Sequence, residues 1–297
     1  QRGLMVCREV KTSAARRYWS SDSACQWLCS GVLLLCALPL WTSSVWAQPS
    51  TVPAATPPVA LQLCYERIDI PPWRMVDGRG LNLDLIRMAA ARSGVAVQFV
   101  TLPWKRCLSE MRDGAVQGVF AASFSADRMA FGAYPGGNSA DAAMQLHTDG
   151  FSLVRRKGDA ASWDGKTLSG LKGPVGVQIG YSVANDLRKM GIAVDESSQT
   201  AKELLQKLQL GRVGAAAIGN SDVQTLLGES AVPGAFNGAI EVMPVPLVQK
   251  PYFLMLSHQF VQDAPVVSAR LWQDIAVVRR SPEYQKLVRD GLAGRKP

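Results

Sequence analysis

Two separated stretches share one outline, and that repetition limits what the chain can fold into more than any other feature. In "RDGAVQGVFAASFS" (112–125) and "QLGRVGAAAIGNSD" (209–222), a helix end meets a glycine, a strand of small apolar residues follows, and a polar turn closes the unit. Around the first stretch, strands at 61–66, 95–100 and 116–122 alternate with a helix at 81–94 and a short one from Pro103 to Gly114. Around the second, strands at 175–178, 192–196 and 213–218 alternate with a helix over 181–190 and another ending near Gly211. Thr200 with Glu203 forms a capping box that opens the latter, and Ser221 is expected to cap a further short helix. Such alternation predicts two parallel α/β units in tandem, with helices over about 264–280 and 282–291 packed on one of them. In open parallel sheets ligands sit beyond the carboxyl ends of the strands. The residues at or just past those ends are Glu66, Trp104, Ser123, Gln178 and Asn220.

The first 47 residues read differently. Arg8, Lys11, Arg16 and Arg17 make a basic leader, and an apolar run from Trp27 to Leu40 leads to Val45-Trp46-Ala47. This is the layout of a secretory signal peptide cut before Gln48, with an uncleaved membrane anchor as the alternative. Arg16-Arg17 hints at twin-arginine export, and Met5 is a candidate start. Residues 48–60, rich in Pro, Ala and Thr, are expected to be a flexible lead-in.

The leader takes 5 of 32 Lys and Arg and 2 of 24 Asp and Glu, leaving 27 against 22, a net charge of +5 over the remaining 250 residues. The basic residues are scattered and do not alternate with aromatics, which argues against nucleic acid as a partner. Four of the six cysteines fall in the leader; Cys64 and Cys107 remain. An even pair in an oxidising compartment predicts a disulfide, with two buried thiols as the alternative. His147 and His258 stand apart with no metal-ligand spacing, so neither metal nor cofactor is expected.

"IPPWRMVDGRGLNLDLI", "LPWKRCLSEMRDGAVQGVFAAS", "SADR" and "VGVQIGYS" resemble the family 3 extracellular solute-binding proteins, the periplasmic receptors of polar amino-acid ABC transporters. The likeness runs from about Leu61 to Leu292. It implies a two-lobed type II periplasmic binding protein fold, two parallel-sheet α/β lobes joined by a hinge. Lobe 1 would be discontinuous, over 61–140 and 247–297, and lobe 2 would span 141–246, with crossings near 138–146 and 243–248. The resemblance also implies a monomer in the periplasm that closes on a small carboxylate-bearing, amino-acid-like solute and serves an inner-membrane ABC permease.

Ser123 and Arg128 match that family's Ser/Thr-x4-Arg pattern, in which the arginine grips the ligand's carboxylate. A guanidinium suits this role on physical grounds, because its planar fork of donors meets both carboxylate oxygens. Trp104 matches an aromatic lying on the ligand. Tyr181 and Ser182 match contacts from lobe 2, although Tyr181 could equally pack. Ala121, Gln178 and Asn220 complete the expected contact set. Trp73 is either a lid aromatic or a contact, and Glu66 either receives an ammonium or is a solvated rim charge.

The pattern breaks where the family carries an aspartate for the ligand's amino group. Here that place falls on Gly219 beside Asn220, so Glu66 or Asp222 would have to substitute, or the ligand lacks an amine. Gln117 replaces a frequent structural Asp. Two rival readings remain. One is a sensor module for a membrane receptor. The other is a periplasmic enzyme resembling cyclohexadienyl dehydratase, for which Glu66 is the one strand-end carboxylate expected in the cleft and no cleft histidine is expected.

Overall fold

The computed structural model describes residues 59–228, 236 and 238–293. The expected leader, and the lead-in up to residue 58, lie outside them. Val59 and Ala60, expected to be flexible, already belong to the first strand.

The first half of the chain follows the predicted rhythm. β1 (Val59–Glu66), α1 (Leu81–Ser93), β2 (Val95–Leu102), α2 (Trp104–Arg112) and β3 (Gly118–Ser123) succeed one another, followed by a two-residue strand β4 (Gly132–Ala133). Gly80 sets the start of α1: its φ is +127°, and a Cβ there would lie 2.7 Å from the Trp73 carbonyl oxygen. Gly94 closes α1 in the left-handed conformation expected of such a cap. The middle of the chain supplies β5 (His147–Arg156), the small pair β6 (Ser162–Trp163) and β7 (Leu168–Ser169), and β8 (Val175–Gln178). Then come α3 (Val183–Lys189), β9 (Val194–Ser198), α4 (Ala201–Gln209), β10 (Ala215–Gly219) and α5 (Asn220–Leu227). β11 (Ile240–Val242), β12 (Val248–Ser257), α6 (His258–Asp263), α7 (Pro265–Arg279) and α8 (Pro282–Ala293) finish the described chain.

One curled sheet runs β2-β1-β3-β12-β5-β10-β8-β9. The pairs β2-β1-β3 and β10-β8-β9 are parallel, as two α/β units require. Between them lie β12 and β5, antiparallel to each other and to their outer neighbours. β5 pairs with β12 over His147–Phe151 and with β10 over Phe151–Gly219 to Val154–Ala216, so one strand serves both halves. Sequence reading missed this pair. Pro251 sits inside β12 opposite Thr148, and Gly150 sits inside β5, where a Cβ would meet the Val248 carbonyl at 2.6 Å. Both residues normally argue against a strand.

Each half has its own apolar core on both faces of the sheet. In the first, Leu83, Ile86, Phe120, Leu271 and Ile275 pack α1 and α7 on one face, and Trp104, Met111 and Phe253 pack α2 on the other. In the second, Val177, Leu187 and Phe151 fill one face and Leu204, Leu208 and Ile218 the other. Cys64 on β1 and Cys107 on α2 form a disulfide, which pins the helix bearing Trp104 to the sheet. Thr200 caps α4 through its side chain, whereas Ser221 does not cap α5: Gly219 holds that position, and Ser221 lies in the first turn, its hydroxyl donating to Asp149. Among the described residues no helix is long and apolar enough to cross a membrane.

Ala121 has φ +56° at the end of β3, where the register with β12 slips so that Ala122 and Phe120 have partners but Ala121 has none. A left-handed alanine within a strand is a local bulge, and it turns the following residues toward the cleft. Ala121→Val is expected to cost about 2–3 kcal/mol although valine favours strands, while Ala121→Gly changes stability by less than about 1 kcal/mol. Chemical denaturation of both variants checks the order; a harmless valine would contradict the bulge.

Candidate ligand-binding site

The carboxyl ends of β1, β3, β8 and β10, with the start of β5, converge on a cavity of about 60 Å³. Its wall includes Glu66, Trp73, Trp104, Ala121, Ser123, Arg128, Tyr181 and Ser182 from the expected set. Gln178 is buried behind Tyr181, donating to its hydroxyl at 3.1 Å, and does not reach the wall. Asn220 also stays off the wall, accepting a hydrogen bond from Ser152.

Arg128 is 6% exposed, so it is not a solvated surface charge. Its Nη1 donates to the Ser123 carbonyl at 2.8 Å and its Nη2 to the Gly180 carbonyl at 2.9 Å. The guanidinium also lies 5.2 Å from the Trp104 ring centre, a cation–π distance. Trp104 Nε1 donates to the same Gly180 carbonyl, so arginine and tryptophan both reach from the first half of the sheet to the loop after β8. No carboxylate of a described residue pairs with Arg128. Burying a cation among carbonyl dipoles alone leaves its charge uncompensated, and such a site favours an incoming anion.

Beside it, Ser123 Oγ and Ser182 Oγ share a hydrogen bond of 2.6 Å, again joining the two halves. Lys250 on β12 donates to Ser182 Oγ at 3.0 Å and pairs with Asp186. Ser182 Oγ thus accepts from Lys250, and either hydroxyl can donate in the Ser123–Ser182 pair.

Glu66 is buried, which rules out the solvated rim charge among its expected roles. Its Oε2 accepts from Arg74 Nη2 and from the Tyr181 hydroxyl, each at 2.7 Å. Burial, with the Glu66 charge adding to it, holds the Tyr181 phenol well above its ordinary pKa, so Tyr181 is a donor across the cleft. Gln178, Tyr181, Glu66 and Arg74 thus form one hydrogen-bonded row.

The cleft also contains groups that sequence reading did not place there. Contrary to expectation it has a histidine, His147, and Asp149 and Asp222 line the wall together with Glu66. His147 is sandwiched between Trp73 at 4.3 Å and Tyr252 at 4.9 Å, ring centre to ring centre. Its Nδ1 is buried with no hydrogen-bond partner, and burial, reinforced by Arg74, lowers its pKa to about 3. A histidine kept neutral by the fold contributes stability above its unfolded pKa near 6.5, and that contribution drains away as pH falls toward about 3. Between pH 7 and 4 the protein should lose about 2–3 kcal/mol relative to His147→Phe, which keeps the stack. Urea titrations at both pH values check this; a pH-independent difference would contradict it.

Asp149 Oδ2 accepts from Ser221 at 3.0 Å. Asp222 is raised to about 7 by burial first and by the Glu66 charge second. A Cβ at Gly219 would lie 3.4 Å from Asp222 Oδ2, so the carboxyl sits just where an ordinary side chain at Gly219 would begin. The missed residues carried little local signal. Arg74 follows a Pro-Pro-Trp loop, while His147, Asp149 and Tyr252 lie on the two unrecognised strands.

No protein-family model and no curated protein sequence matches the chain. Solved structures do. The GluR0 ligand-binding core from Nostoc punctiforme in complex with L-glutamate is 21% identical, with a TM-score of 0.57, covering 78% of this chain and 98% of that one. A histidine kinase sensor domain with similarity to periplasmic binding proteins is 18% identical, with a TM-score of 0.60 over 80% and 97%. The substrate-binding protein of an amino acid ABC transporter is 16% identical, with a TM-score of 0.59 over 79% and 99%. The chain has the two-lobed type II periplasmic-binding-protein fold.

Proposed function

We propose that this chain is a solute-binding protein that closes on a small, carboxylate-bearing, amino-acid-like solute. The observation that carries this reading is Arg128, a buried guanidinium at a cavity wall with no carboxylate of a described residue to pair with. Arg128 and Ser123 hold the carboxylate from the lobe formed by 61–140 and 247–297, and Tyr181 and Ser182 close over it from the lobe formed by 141–246. β5 and β12 are the hinge. The solute shifts an open–closed equilibrium because only the closed arrangement touches it from both sides. The protein works as a periplasmic monomer after removal of residues 1–47, and delivers its solute to an ABC permease.

The likeness to a histidine kinase sensor domain supports a second reading, in which the closed form is presented to a membrane receptor. Turnover is less well supported. The base that a dehydratase would need, Glu66, is held by Arg74 and Tyr181.

A thermal-shift screen of residues 48–297 against amino acids, amines and small carboxylic acids tests the proposal. Ligand at 100 times its dissociation constant stabilises by about 2.7 kcal/mol. Stabilisation by carboxylates and not by amines is expected; stabilisation by amines alone would overturn the reading.

A further inference from the structure

Outside the cavity the two halves of the chain meet a second time. Asp127 and Arg128 are neighbours in the short 3-10 turn Ala126–Ala130, but of the two only Arg128 lines the cavity wall. Asp127 is exposed and lies with Ser125 and Asn185 along a separate crevice of about 500 Å³. Ser182 and Asn185 stand three residues apart at the start of α3, so they share one side of it. Ser182 reaches the cavity wall there and Asn185 does not. The Asn185 amide is engaged at both ends. Its Oδ1 accepts from Arg188 at 3.2 Å, while its Nδ2 donates to Asp127 Oδ2 and lies 3.4 Å from Ser125 Oγ. Arg188 is itself paired with Glu196 on β9, so the oxygen end of the amide is held by its own half and the nitrogen end points at the other.

We propose that Asn185 and Asp127 form a latch that holds the two lobes closed from outside the solute site. The turn that carries Asp127 also carries Arg128, and the helix that carries Asn185 begins at Ser182. Each element therefore has one residue for the cavity and one for the latch. An amide donor facing a carboxylate makes a charge-assisted bond, stronger than a neutral one. That bond is made by protein atoms alone, so the inference stands apart from the carboxylate-binding role given to Arg128 above. Closure then has a contribution common to every solute. Weakening the latch lowers the affinity for all of them alike, by the factor by which the closed fraction falls.

Asn185→Asp tests this, because a side chain of nearly the same shape sets a second carboxylate against Asp127. An aspartate in the first turn of a helix is otherwise favourable, so α3 itself is not weakened. Adding Asp127→Asn to that variant restores a donor facing an acceptor, with the direction reversed. Asp127→Ala removes the acceptor without adding a charge. Small-angle X-ray scattering on residues 48–297, with no solute added, reads the ratio of closed to open forms, after heating has shown that each variant unfolds cooperatively. The natural protein is expected to scatter as the closed arrangement. Either single variant should lose at least about 10-fold in the closed-to-open ratio, and the double variant should recover most of it. A natural protein that scatters as an open form, single variants that scatter as the natural protein does, or a double variant that stays open would each overturn the latch. None of these results bears on Arg128, whose role is read separately by Arg128→Ala.

Discussion

Arg128→Ala is expected to weaken binding of the solute by about 2–5 kcal/mol, a loss of some 30-fold to several thousandfold, while the protein keeps a cooperative unfolding transition. Both halves of this expectation come from the geometry. Among the described residues the guanidinium hydrogen-bonds to the Ser123 and Gly180 carbonyls and Tyr134 Oη, lies over the face of Trp104, and forms no ion pair on which the fold depends. Truncation frees the Tyr134 hydroxyl to keep its 2.9 Å bond to the Ser123 carbonyl, which stays satisfied. A ligand carboxylate, by contrast, would lose its fork of donors in a buried place where water replaces them poorly. Arg128→Lys should recover little, since a point charge cannot present two parallel donors. Unchanged affinity in the alanine variant, measured by calorimetry, would remove the anchor.

The second large effect concerns the fold. The disulfide between Cys64 and Cys107 closes a loop across a sequence separation of 43 residues. Chain-entropy reasoning gives about 4 kcal/mol for a loop of that length. Replacing both cysteines with serine should therefore lower the melting temperature by about 8–16 °C for a chain of this size. The same bridge ties α2 to β1, and α2 begins with Trp104, so the variant should also bind its solute more weakly. Thiol counting on the unfolded, unreduced protein should find neither cysteine free. A melting point unchanged in the serine variant would contradict the role assigned to the bridge.

Where local physics decides structure, the sequence was legible. Apolar period and glycine punctuation marked β1, α1, β2, α2 and β3, and the Thr200 cap marked α4. Reading failed at β5 and β12, whose partners lie about a hundred residues apart and whose Gly150 and Pro251 imitate loop signals. That single failure explains most of the site that went unseen. His147, Asp149 and Tyr252 belong to those strands, so the cleft appeared to lack a histidine. Glu66 was placed correctly at a strand end, but its ion pair is with Arg74, eight residues away across a loop closed by the Ile70–Arg74 bridge. Asp222 was visible only as a residue that could stand in for a missing aspartate. Its position follows from α5 beginning at Asn220, with Gly219 leaving room.

The most direct measurement is a double-mutant cycle on the ligand and the arginine together. The tightest-binding amino acid is compared with its α-carboxamide, on the natural protein and on Arg128→Ala. Loss of the carboxylate charge should cost at least 30-fold in the natural protein and less than about threefold in the variant, because the partner is already gone. An equal loss in both proteins would mean that the carboxylate is gripped somewhere else.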